Sequence, residues 1–391
     1  MRTPDLNWIK DPRVFQVNRL HAYSDHIYTI GKDKKPSSFS LNGTWKFNLS
    51  KNYDSCFKFF YNTEFNDSNW NDIQVPGHIQ LQGFDNPHYT DVTYPWDGHD
   101  VVKPGQIDMD KNKVYQYRKT FDCPQDFIGN KLILSFEGAE SNIYVWLNGK
   151  FIGYSEDSFT PSRFDITKYT QEKDNVLCVR IFQKCTGTWL EDQDMWRFTG
   201  IFRDVMIYKQ PSLHLQDLKI DTDIDLDTNK SVLSCVCKMS SNESHTLQAK
   251  LYDPQGNIVW NGNMQDSFEI PVENTCLWSS EFPNLYQLEL VLYDTNNEII
   301  ETIQEQVGFR KFTLEYGIMK LNGKRIVFHG INRHEWDSKT GRCLSQEQME
   351  EDIHILKSLN INAIRTSHYP NNNYWYKLCD QYGIYVIDEM N

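Results

Sequence analysis

Three short apolar runs in the last seventy or so residues break off into polar groups: Phe328-His329-Gly330-Ile331-Asn332-Arg333-His334-Glu335, Ala363-Ile364-Arg365-Thr366-Ser367-His368-Tyr369-Pro370 and Ile384-Tyr385-Val386-Ile387-Asp388-Glu389-Met390-Asn391. Helical spacing fills the intervals. Ser345 and Gln348 form a capping-box signal, and Met349, Ile353 and Leu356 then recur at i, i+4 and i+7. Acids Glu347, Glu350, Glu351 and Asp352 come early and Lys357 late, as the helix dipole prefers. A second helix is expected after Pro370, with Tyr374, Leu378 and Tyr382 on its buried face and Gly383 closing it. The order β-α-β-α-β with continuous apolar strands predicts a parallel sheet covered by helices. Polar residues at the carboxyl ends of such strands are where a (β/α)8 barrel keeps its active site, and three of about eight strands are expected here. An open barrel piece of this kind leaves an unpaired edge, so residues 309–391 are expected to be marginally ordered in isolation.

Upstream the period changes to two. Residues 1 to about 38 are polar and irregular and read as an arm laid over the first domain. From Leu41-Asn42-Gly43-Thr44-Trp45 onward the pattern is short strands and turns. Tyr115, Tyr117 and Phe121 space one strand, and Leu132, Leu134 and Phe136 another. Asn148-Gly149, between Ile143–Leu147 and Lys150–Ile152, is a hairpin signal. Many short strands with almost no helical periodicity predict a jelly-roll sandwich over residues 1–210, arm included. A second β domain follows over 211–308. There Leu247, Ala249 and Leu251, then Leu288, Leu290 and Leu292, alternate with polar residues, as in an immunoglobulin-like sandwich. It shows no catalytic cluster, and its expected role is a spacer. A second Asn-Gly hairpin, Asn322-Gly323, leads into the incomplete barrel of 309–391. The fold class is thus multi-domain β followed by α/β.

At 391 residues the length fits two to three domains. Acids outnumber bases 53 to 40, a net charge of −13, which disfavours nucleic acid and anionic membrane surfaces as partners. No stretch reaches the apolar length of a membrane span, and the first residues hold no signal-peptide core, so a cytoplasmic location is expected. Nine cysteines are scattered, and the lone Cys235-x-Cys237 lacks a second pair at zinc-finger spacing, so buried reduced thiols are expected. Aromatics at 14% build rigid cores and also stack on sugar faces.

The densest polar cluster is residues 189–204, where Glu191, Asp192 and Asp194 stand among Trp189, Trp196, Arg197 and Arg203. Two readings stay open: a solvated loop held by its own Asp–Arg pairs, or a functional loop on a rigid sandwich. A carboxylate beside indole rings suits a hydroxyl-rich ligand. The loop His88–Asp97 has the same mixture. In the barrel piece, His334 and His368 sit at or past strand ends with Arg365, Asp388 and Glu389 nearby. Arg365 pairing with Glu389 is the plain alternative to function there. Asp388 and Glu389 are adjacent in the chain and point to opposite faces of a strand, so they are not the carboxylate pair of a glycosidase. No nucleophile elbow, phosphate loop or zinc motif occurs.

Together these blocks resemble the glycoside hydrolase family 2 β-galactosidases, the large multi-domain bacterial lactases. The resemblance runs from Leu41-Asn42-Gly43-Thr44-Trp45 through Val75-Pro76-Gly77-His78, Tyr94-Pro95-Trp96 and the Glu191–Asp204 run to Asn332-Arg333-His334-Glu335 and Ser367-His368-Tyr369-Pro370. It implies a jelly-roll sugar-binding domain, an immunoglobulin-like domain, a (β/α)8 barrel and a retaining reaction on terminal β-galactosides such as lactose. It further implies that Asp194 contacts galactose and a bound Na⁺. His334 and His368 would line the galactose pocket and stabilise the transition state, and Arg365 would brace its floor. Asp91 falls where the family commonly has Asn, which keeps an acceptor and removes a donor. Asn391 resembles the start of a segment whose following residues bind Mg²⁺. The acid/base and nucleophilic glutamates are expected beyond it, so this is read as the amino-terminal part of a longer enzyme, inactive alone, whose parent is a homo-oligomer or two-subunit enzyme. The alternatives are a carbohydrate-binding or complementing subunit module without catalysis, and a family 2 enzyme for another neutral β-glycoside. The acidic loop around Asp194 disfavours an anionic sugar.

Overall fold

A computed structural model describes residues 3–94, 96, 102–103 and 105–390. The first domain is a sandwich. A seven-stranded sheet runs Gln16–Val17, Lys150–Glu156, Asn142–Leu147, Asn175–Phe182, Val114–Phe121, Gly43–Ser50 and Asn71–Val75. A four-stranded sheet of Ser162–Asp165, Lys131–Phe136, Val205–Gln210 and Ser38–Ser40 faces it. Trp45, Phe47, Tyr117, Leu134, Val145, Val179 and Ile207 interdigitate between them and are nearly inaccessible to water. The Asn148-Gly149 turn has φ of 50° and 75°, the left-handed pair that a two-residue hairpin needs.

The second domain packs the three strands Leu215–Asp225, Lys230–Met239 and Ser267–Glu273 against a six-stranded sheet. Cys235 and Cys237 lie in its core as free thiols, and all nine cysteines are unbridged. The arm corrects the expectation of a cover for the first domain alone. Gln16–Val17 adds an edge to the first sandwich, pairing with Lys150–Glu156, and Trp8 stacks on Tyr144. Ile27–Ile30 then pairs with Ile299–Val307 of the second domain. The arm therefore closes an open sheet edge on each of two domains.

In the third unit Gly330–Arg333, Ala363–Thr366 and Tyr385–Ile387 pair in parallel. The first helix, Gln346–Ser358, begins at the reciprocal Ser345–Gln348 box and buries Met349, Ile353 and Leu356. The second, Asn373–Tyr382, is capped by the Asn372 side chain and ended by Gly383 at φ 71°. Its fully buried residues are Trp375, Leu378 and Cys379 rather than the Tyr374–Leu378–Tyr382 stripe. Tyr374 and Tyr382 lie at the rim of the same core, where their hydroxyls reach Glu350 and His354. A ring with a polar tip does better there than deep inside. The strand Gly330–Arg333 also departs from a continuous apolar run: Arg333 is buried, stacks over Trp375 at 3.6 Å and pairs with Asp352.

The second domain does more than space its neighbours. Its buried Trp278 donates from Nε1 to the Asp380 carbonyl at 2.7 Å and meets Tyr385 edge-on at 5.9 Å. Two buried ion pairs tie the first domain to the third, Arg203–Glu335 and Arg342–Glu140. The short parallel sheet is thus docked on both sandwiches, while Ile331, Ile387 and Met390 stay exposed.

Candidate functional site

The strand Met195–Arg197 pairs with His88–Thr90, which joins the two acid-and-aromatic loops into one ribbon. Side chains alternate along it. Met195 is buried, and Arg197 donates to Thr90 at 2.8 Å, while Tyr89 and Trp196 remain partly exposed on the other face. The Tyr89 hydroxyl donates to Asp194.

The three acids of this loop have three different fates. Glu191 accepts from the Ser158 amide at 2.7 Å and hydroxyl at 2.6 Å, and burial pushes its carboxyl up to about 8. Asp192 pairs with Arg197, which also donates to the Gln193 carbonyl at 2.6 Å. Asp194 faces a cavity. The Asp192–Arg197 pair thus secures the loop, as the plainer reading has it, and the secured loop presents Asp194 to that cavity.

The cavity has a volume of about 420 Å³ and is lined by Asp91, Asp192, Gln193 and Asp194 from the first domain, with Arg365, His368, Glu389 and Met390 from the third. His334 stands beside it, its ring 5.4 Å from that of His368 and nearly perpendicular to it. Of the five residues that the resemblance picks out, Asp91, Asp194, Arg365 and His368 line this cavity and His334 packs against His368.

Glu389 organises the floor. It accepts from Arg365 Nε, and its other oxygen lies 2.7 Å from His368 Nδ1. Arg365 also approaches His368 Nδ1, at 3.3 Å. One nitrogen cannot donate and accept at once, and the shorter, charge-assisted contact fixes Nδ1–H on Glu389. Burial acts to raise the Glu389 carboxyl, but the bonds from His368 and Arg365 outweigh it and hold it below the ordinary range. Burial, with the neighbouring His368, lowers the His334 imidazole, so His334 favours its neutral form. Asp388 turns the other way, accepting from Thr366 at 2.9 Å and Tyr376 at 2.7 Å. The pairing of Arg365 with Glu389 is real, and it also shapes the pocket.

Tyr89, whose hydroxyl holds Asp194, is singled out by no motif, and Glu389, which lines the cavity, reads as structural in the sequence. Tyr89's only sequence signal is its place in an aromatic and acidic loop. Among the described residues no group of three or more His, Cys, Asp or Glu could hold a metal ion. Asn391, the expected start of an Mg²⁺ segment, lies outside the described residues, as do Pro95 and Asp97 of the aromatic loop. No helix among the described residues is long and apolar enough to cross a membrane.

Three family models match in succession. The sugar-binding domain of glycosyl hydrolases family 2 matches residues 39–211, a further domain of that family 213–310, and its TIM barrel domain 312–391. The chain is 48% identical over 400 residues to a β-galactosidase of Halalkalibacterium halodurans, covering 99% of this chain and 39% of that protein. It is 41% identical over 409 residues to the β-galactosidase large subunit of Leuconostoc lactis, covering 99% of this chain and 65% of that subunit. Among solved structures, Bacteroides uniformis β-glucuronidase 2 aligns with a TM-score of 0.74 at 24% identity over 90% of this chain and 42% of that one. A β-glucuronidase from Ruminococcus gnavus aligns with 0.74 at 20% identity, over 95% and 59%. These structures share the fold. The chain spans about 40% of the length of the first curated relatives.

Proposed function

The chain belongs to glycosyl hydrolase family 2, and from that premise we propose that it is the amino-terminal portion of a retaining β-galactosidase, contributing one wall and the floor of a pocket for terminal β-D-galactosides such as lactose. The observation that carries this reading is the single cavity in which Asp194 of the sandwich meets His368 and Arg365 of the barrel strands.

In that pocket Asp194 accepts from hexose hydroxyls. Tyr89 donates to it and holds its carboxylate in place. His368, its Nδ1–H fixed on Glu389, offers Nε2 to a sugar hydroxyl, and neutral His334 donates or accepts beside it. Arg365 keeps Glu389 ionised and so keeps His368 oriented. Retaining hydrolysis also needs an acid and a nucleophile about 5–5.5 Å apart. Asp388 and Glu389 are committed to other partners, so we assign the reacting carboxylates to sequence outside these 391 residues, and the chain alone to no turnover.

Asp194 also offers a carboxylate oxygen to the Na⁺ that the family resemblance implies. The described residues assemble no cage of acids and histidines around it, so neither Na⁺ nor Mg²⁺ enters a step here. Asp192 and Glu389 are neutralised by Arg197 and Arg365, leaving Asp91 and Asp194 to set a negative sign in the cavity. That sign favours a neutral hexose over a uronic acid. The large-subunit naming of two relatives supports a second reading, in which the chain completes its site with a partner chain.

Titration of the purified chain with methyl 1-thio-β-galactoside and the matching thio-β-glucuronide tests the reading. The galactoside is expected to bind, and the glucuronide about tenfold or more weaker. Preference for the glucuronide, or hydrolysis of a nitrophenyl β-galactoside by this chain alone, would refute it.

A further inference from the structure

Arg342 belongs to the loop after the first parallel strand, yet its side chain lies inside the first domain with 1% of its surface exposed. The loop is closed by reciprocal backbone bonds between Asp337 and Gly341, at 2.8 and 2.9 Å. Gly341, at φ 64°, then brings the chain against His78, where a Cβ would stand 2.7 Å from the imidazole Cδ2. The Arg342 amide donates to His78 Nε2 at 3.0 Å. Burial, with Arg342, keeps that imidazole far below its ordinary range, so it is neutral and free to accept.

The guanidinium sits among Phe159, Phe198, Phe202 and Tyr369, each ring centroid 5.4 to 5.6 Å away. One terminal nitrogen pairs with Glu140, and the other donates to the Trp196 carbonyl at 3.0 Å. Trp196 is two residues from Asp194 on an extended strand. The short turn that carries Asp194 is clamped from both sides, by Arg197 on Asp192 and on the Gln193 carbonyl, so a shift of Trp196 carries Asp194 with it. Asp194 and the two histidines come from different domains. Arg342 spans that divide from a site hidden behind the pocket.

We propose that Arg342 is a positioning residue: by holding the Trp196 carbonyl it sets where the Asp194 carboxylate stands relative to His334 and His368. The inference rests on the reading of the cavity as a galactoside pocket. It separates two duties of one side chain. The Glu140 pair neutralises a buried charge and serves stability, whereas the Trp196 bond sets register and serves the pocket.

Two substitutions separate them. Arg342→Lys keeps a cation for Glu140, but a single ammonium cannot reproduce the planar fork that serves Glu140 and Trp196 together. Glu140→Gln removes the charge and keeps an acceptor, leaving the Trp196 bond intact. In Arg342→Lys, affinity for methyl 1-thio-β-galactoside is expected to fall about tenfold or more, and amide exchange over residues 192–197 to quicken about tenfold. In Glu140→Gln the thermal midpoint is expected to fall, while affinity and exchange change less than about twofold. Should Arg342→Lys not fold, Gly341→Ala displaces the same backbone and carries the same expectation. Unchanged affinity and exchange in Arg342→Lys would overturn the proposal, as would affinity losses that simply track the thermal midpoints of both variants. If the wild-type chain binds no galactoside, the reading of the pocket fails, while the exchange comparison still decides whether Arg342 holds the Asp194 strand.

Discussion

The docking of the parallel strands on the first sandwich turns on Arg203 and Glu335, and the substitution Glu335→Gln probes it most sharply. Both side chains are almost wholly buried, at 6% and 1% exposed, and they meet at 2.7 Å. Arg203 also donates to the Phe159 and Pro370 carbonyls at 2.7 Å each, and Glu335 accepts the Asn372 amide at 2.8 Å. At an effective dielectric of 20, the attraction across that distance is about 6 kcal/mol. Desolvation of the two ions offsets most of it, so the intact pair contributes little net stability. A broken pair is a different matter. The substituted amide keeps the shape but leaves a buried guanidinium without its counter-ion, at a cost of about 3–5 kcal/mol. Calorimetry should show the transition of residues 309–391 lowered by on the order of 10 °C. The Arg203→Met/Glu335→Leu pair should recover part of the loss, with a coupling energy of about 2 kcal/mol between the sites. A loss below about 0.5 kcal/mol, with no coupling, would mean that the strands do not dock on the sandwich as described.

Other outcomes follow from the same packing. Trp278→Ala opens a cavity beneath Asp380 and Tyr385 and should cost about 3–5 kcal/mol, read as faster hydrogen exchange in the helix Asn373–Tyr382. Unchanged exchange there would show that the second domain is a spacer after all. Glu301 is 1% exposed and accepts the Leu215 amide, and burial raises its carboxyl from 4.5 to about 7. The folded state then holds this proton more tightly than the unfolded one. Its contribution is fully present below pH 4.5 and is lost as pH rises to about 7, a fall of about 3 kcal/mol that Glu301→Gln should flatten in urea titrations. Asp194→Asn should abolish galactoside binding with a shift in thermal midpoint of under about 2 °C, because Asp194 is exposed. Binding that survives the change would remove Asp194 from the pocket.

The features legible in the sequence are those whose cause is local. Asn148-Gly149 and Asn322-Gly323 are hairpin turns because their φ values are positive, a property of two residues. The helix Gln346–Ser358 starts where Ser345 and Gln348 can cap it, three residues apart. Asp194, His334 and His368 stand out through motifs and strand ends. What stays hidden is long-range. Glu140 and Arg342 are 202 positions apart, and Arg203 and Glu335 132, so neither pair leaves a trace in spacing. Ile27–Ile30 reads as irregular because it is a four-residue strand whose main partner lies near residue 303, with only Lys35–Pro36 on its other side. The buried face of the second helix departs from the expected stripe by one position because Tyr374 and Trp375 compete for it. Trp375 is the ring beneath Arg333, while the tyrosine hydroxyl seeks the rim.

The most direct test of the pocket is a crystal structure of this chain soaked with methyl 1-thio-β-galactoside. The account predicts a hexose in the cavity of about 420 Å³, with hydroxyls on Asp194 and on the His368 imidazole. A cavity in which Asp194 stands apart from His334 and His368, or a hexose bound elsewhere on the chain, would contradict it.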